Sequence, residues 1–131
     1  MNAGPELNAL IAERVMGHTV AMAPAVWSGE DWVLSDSPTA RNVLAIINAD
    51  FTPGASFPPA YPILDFSGDI AAAWQVVEKL RARGLRLSLD GFGGDPWWAE
   101  FADDAYEVGG QAMGTTAPHA ICLAALKVVA P

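Results

Sequence analysis

The sequence predicts a mixed α/β domain: a sheet, at least partly antiparallel, whose apolar faces are covered by about three helices. Three observations predict it. The segment Asp65–Arg83, DFSGDIAAAWQVVEKLRAR, reads as a capped amphipathic helix, and Gly84 supplies its stop. LRLSL at 85–89 and PWWAEFA at 96–102 each alternate with a period of two and are joined by the glycine-rich DGFGGD, which makes a hairpin. Helical spacing recurs near both ends of the chain. At 131 residues and 52% hydrophobic, the chain fits one domain, residues 1–131, with a core that needs no disulfide or metal.

The elements follow in order. A first helix is expected over about 5–16. Pro5 suits its first turn, Glu6 favours the positive end of the dipole, Leu7, Leu10, Ile11 and Val15 share a face, and Gly17 ends it. His18–Met22 and Glu30–Leu34 read as short strands around a turn at 28–31, with Trp27 and Trp32 in cross-strand contact. Residues 39–48 fit either a short helix, opened by Ser37-Pro38, or a buried strand, because periodicity alone does not separate the two. Residues 51–64 hold four prolines in FTPGASFPPAYP and read as an ordered crossing loop with no regular structure, Phe51, Phe57 and Tyr61 tucked against the body.

The second helix is expected over 67–83. Ser67 is its N-cap, and Ile70, Ala73, Trp74, Val77 and Leu80 form its buried stripe. After the hairpin, Asp103-Asp104 makes a turn, Ala105–Val108 a third strand, and GGQAMG at 109–114 a loop. The last helix, 116–129, opens at Thr115 or Thr116 with Pro118 in its first turn. Cys122, Ala125, Leu126 and Val129 share one face, widened by Ile121 and Val128.

Composition excludes several function classes. The net charge of −8 gives no general attraction for nucleic acid or an anionic membrane. A single cysteine, Cys122, permits no intrachain disulfide, and its apolar helix face predicts a buried, inert thiol. The first residues lack a signal-peptide pattern, and no apolar run approaches the roughly 18 residues of a membrane span. A soluble, cytoplasmic protein is expected.

Three segments carry a resemblance: LNALIAERVMG at 7–17, FSGDIAAAWQVVEKLRARG at 66–84 and TAPHAICLAALKVV at 116–129. Together they resemble the phage ABA sandwich domain, a family of small phage-encoded proteins. The resemblance covers about a third of the chain, in the family's order. It implies a three-layer α-β-α sandwich of α+β type, with a mainly antiparallel sheet, and a phage or prophage origin. It brings no enzymatic activity and no catalytic residues, and its matched positions read as cap and core. Residues 36–64, longer and richer in proline than the family pattern, stand outside it.

Candidate chemistry is sparse. His18 and His119 are the only histidines. His119, in the first turn of the last helix, is expected to be exposed or capping, and Cys122 lies three residues on. Asp90, Asp95, Asp103 and Asp104 around the hairpin match no metal-loop spacing, and aspartates favour turns, so no metal is assigned. The most physical ligand site is the start of the last helix, where Thr115, Thr116 and His119 could hold an anion together with the basic cluster Arg81, Arg83 and Arg86. Lys79 belongs to the same cluster, which also suits a helix C-terminus. Trp97 and Trp98 point to opposite sheet faces, so one of them is exposed if one face is open. Trp98, Trp27 and Tyr61 are the candidate partner surface.

The reading that results is a non-enzymatic phage accessory protein without cofactor, acting in the host cytoplasm. It would bind a host or phage protein, or a small nucleotide-like anionic ligand, in interference with host defence. Two alternatives remain: a small enzyme on phosphorylated or nucleotide substrates using Asp90, Asp95 and His119, and a self-associating structural accessory, with which a homodimer is compatible.

Overall fold

The computed structural model describes residues 1–27, 29, 32–34, 37–47, 60–91, 93 and 95–129. The chain forms two compact units, Met1–Met16 with Leu64–Pro131, and Gly17–Ile63. The first holds three helices and a three-stranded antiparallel sheet, a mixed α/β sandwich.

Helix α1 runs Pro5–Leu10 and continues as a π-helical turn, Ile11–Val15. Leu7, Ile11, Ala12 and Val15 are fully buried, as their spacing requires. The amide of Met16 reaches the Ile11 carbonyl at 3.0 Å, and Gly17 at φ +77° turns the chain away.

Helix α2, Ile70–Arg81, differs from expectation at its start and on its buried face. Asp69 is the N-cap, its carboxylate accepting from the Ala71 amide at 3.1 Å. Ser67 does a different job. It is fully buried, and its amide and hydroxyl both donate to Asn8 Oδ1, at 2.8 and 2.6 Å. Its own oxygen accepts from the Gly4 amide at 2.9 Å, and Asn8 Nδ2 donates to Asp65 Oδ1 at 3.0 Å. This set of bonds joins α1 to the lead-in of α2 across some sixty residues of sequence, and among the described residues no buried side-chain nitrogen or oxygen is left without a partner. A Cβ on Gly68 would meet the Asp65 carboxylate, so a side chain there would displace the group that Asn8 Nδ2 bonds.

The buried stripe of α2 is Ala72, Ala73, Val76, Val77 and Leu80, while Ile70 and Trp74 face outward. The expected core positions of Ile70 and Trp74 are therefore corrected, while Ala73, Val77 and Leu80 are buried as expected. Small side chains let α2 approach its neighbours closely, and the bulky pair is rotated out. The helix end is as expected: the amides of Gly84 and Leu85 bond the carbonyls of Arg81 and Leu80, a Schellman pattern, with Gly84 at φ +86°.

The sheet of this unit has the order β5-β6-β7, from β5 Arg86–Asp90, β6 Trp97–Ala102 and β7 Val108–Gly114. Ala99 and Phe101 are fully buried on one face of β6, as the alternation predicts. The third strand lies later than expected, and GGQAMG is strand rather than loop. Glycine reads as a loop signal, but Gly110 and Gly114 are where α3, Ala117–Val129, lies directly on β7. A Cβ on Gly110 would strike the Ala124 carbonyl, and one on Gly114 would come within 2.5 Å of the Ala120 amide. Thr116 caps α3, its oxygen accepting from the His119 amide at 3.3 Å. Ile121, Cys122, Ala124 and Ala125 are fully buried.

The second unit is a sheet of order β2-β1-β3-β4, antiparallel throughout. β1 spans Thr19–Trp27, running past the expected end at Met22, and β2 spans Trp32–Leu34; the backbones of Trp27 and Trp32 stand opposite each other, and their side chains lie outside the described residues. Residues 41–47 settle as a strand, β3 Arg41–Ile47, in keeping with the β-branched Val43, Ile46 and Ile47. β4, Ala60–Pro62, corrects the expectation of an entirely irregular 51–64. It is an edge strand, where a proline without an N–H is tolerated. The remainder of the loop, 51–59, Phe51 and Phe57 included, lies outside the described residues, as do Ser28, Glu30 and Asp31 of the turn at 28–31.

Candidate functional site

Because α2 buries its small residues, its bulky face stands beside the edge strand β5. Between them runs a groove of about 310 Å³ lined by Trp74, Val77, Arg81, Leu85, Arg86 and Leu87. Trp74 is 47% exposed, a large apolar ring left partly in water. The groove shares Arg81, Leu85 and Arg86 with a neighbouring hollow that Gly84 and Asp104 also bound. Arg86 pairs with Asp104 at 2.7 Å and Arg81 with Glu78 at 3.3 Å, all four side chains well exposed. Beyond Asp104 the turn presents Tyr106, 88% exposed and held at φ +59°. Asp103 fixes that turn by accepting from the amides of Ala105 and Glu107, each at 2.9 Å. A tyrosine in the left-handed region costs about 1–2 kcal/mol, which these bonds offset.

The anion site expected from Thr115, Thr116 and His119 together with Arg81, Arg83 and Arg86 does not assemble. Arg86 stands opposite Ala102, and Thr115 follows Gly114, which stands opposite Trp97. The two groups are thus at opposite ends of β6, roughly 17 Å apart at about 3.3 Å per residue. His119 is buried rather than exposed. Its Nδ1 accepts from the Thr115 amide at 3.1 Å, and its Nε2 meets the Met1 carbonyl at 2.8 Å, an arrangement the Nε2–H tautomer satisfies. Both ring nitrogens therefore hold the chain terminus and the helix start in place.

Cys122 is buried, and burial, helped by the negative charge of Asp65, pushes its thiol from an ordinary value of 9.0 up to about 12. It does not form a nucleophile–base pair with His119. Among the described residues no three or more of His, Cys, Asp and Glu converge as metal ligands.

Trp97 and Trp98 are both half-buried, on opposite faces as expected. The Trp97 ring lies against Gly91, and Trp98 stands between Asp90 and the exposed Met113. The backbones of Trp27 and Tyr61 lie in β1 and β4, while their side chains fall outside the described residues. What the sequence reading missed is Trp74, Tyr106 and the Asn8–Ser67 joint. A signal for the first existed: Ala72-Ala73 with Val76-Val77 is a second stripe of smaller residues, and choosing it would have turned Trp74 outward.

The family model for the phage ABA sandwich domain matches residues 9–126. The chain belongs to the phage ABA sandwich domain family. A crystal structure of a phage protein from Bacillus cereus ATCC 14579 shares the fold, with a TM-score of 0.61 and 22% identity over 98% of this chain and 93% of that one. No curated protein matches the sequence. In this ABA sandwich protein the motif residues have visible physical roles: Asn8 and Ser67 make the joint, Asp69 the cap, and the paired alanines the close helix face. No helix among the described residues is long and apolar enough to cross a membrane.

Proposed function

We propose that this phage accessory protein works by protein contact through the α2–β5 face rather than by chemistry on a small substrate. The observation that carries the reading is Trp74, half-exposed in a groove whose other prominent side chains are Arg81 and Arg86, with Tyr106 on the adjoining turn. Tryptophan, tyrosine and arginine are the residues that dominate binding energy at protein interfaces. A small anion is the weaker candidate for this place. The groove is open, and its arginines are already paired with Glu78 and Asp104.

The reading is tested by comparing proteins retained by the tagged chain with those retained by Trp74→Ala and Tyr106→Ala, using host cells expressing the phage genes. A partner lost with either variant and kept by Gln111→Ala, on the opposite sheet face, supports it. Partners retained equally by all three variants would remove this face as the site of contact.

A further inference from the structure

We draw no further inference here: the strongest candidate, the surface patch along the outer edge of strand β5 with Leu89 and the neighbouring Trp74 partly exposed, belongs to the α2–β5 face already described, and nothing in the structure shows what covers it.

Discussion

Helices α2 and α3 are both rich in alanine and valine, yet the fold treats them differently. α3 is absorbed: it lies on β7 at two glycines, and Ala120 through Cys122, Ala124 and Ala125 are all fully buried. α2 is absorbed on one side only, its small residues inward and Ile70 and Trp74 in water. The difference locates stability and function in separate places. Where a helix meets a strand backbone to backbone, every position is fixed by packing. Where it keeps an aromatic outward, the fold gains little from that ring, and the ring remains available to a partner.

The sharpest break of this contrast is at Gly110. Replacing it with valine drives a side chain into the backbone of α3 at Ala124 and Val128, neither of which can rotate aside. We expect destabilisation of about 3 kcal/mol, read from urea unfolding. A loss below about 1 kcal/mol would show that α3 is not seated on β7 as closely as described.

Next comes the joint. Asn8→Leu keeps the approximate size of the side chain but removes the acceptor shared by the Ser67 amide and hydroxyl, leaving both buried without it. Such a loss costs about 2–3 kcal/mol. Ser67→Ala in the Asn8→Leu background should add much less than it does alone, since the two act as one unit. Full additivity in that double-mutant cycle would mean the residues are not coupled.

The contrast also explains what could be read in advance. The helices, the hairpin, the alternation of β6 and a threonine cap at 115 or 116 were legible because each is encoded locally, by spacing and by capping chemistry. The strand Val108–Gly114 was not, since its glycines answer to a helix that follows it rather than to their own neighbours. Ser67 was misread for the same reason: a serine before a helix suits a cap, and only the approach of Asn8, 59 residues away, makes it a buried anchor. The candidate site suffered most. Arg81 and Arg86 are indeed brought together, but the sheet register, which no local signal reveals, carries Thr115 and Thr116 to the other end. Trp74 was hidden by its own hydrophobicity, which made it look like core.

Cys122 gives a smaller effect, absent at neutral pH. Its thiol, pushed up to about 12 in the folded chain, stays protonated there while the unfolded chain ionises near its ordinary 9.0. Above about pH 9 the unfolded state therefore holds fewer protons than the folded one. The sign follows: this contribution to stability is fully present below the unfolded value and is lost as pH climbs toward 12. Cys122→Ala should flatten that part of the alkaline slope, and iodoacetamide should label the wild type only as fast as the chain unfolds. Rapid labelling of the native protein would place the thiol at the surface.

The smallest expected change in stability is at Trp74, and it is the most informative for the comparison. Trp74→Ser removes a ring that is 47% exposed and leaves the stripe from Ala72 to Leu80 intact. Unfolding free energy should move by no more than about 1 kcal/mol. Protein association should weaken clearly, because a partner covers the part of the ring that the fold leaves in water. Measuring both on one sample separates the two roles of α2. If stability falls as far as for Asn8→Leu, Trp74 belongs to the core and the outward face of α2 is only its rim. If stability holds and association also holds, the ring is outward but idle, and the contact lies elsewhere on the molecule.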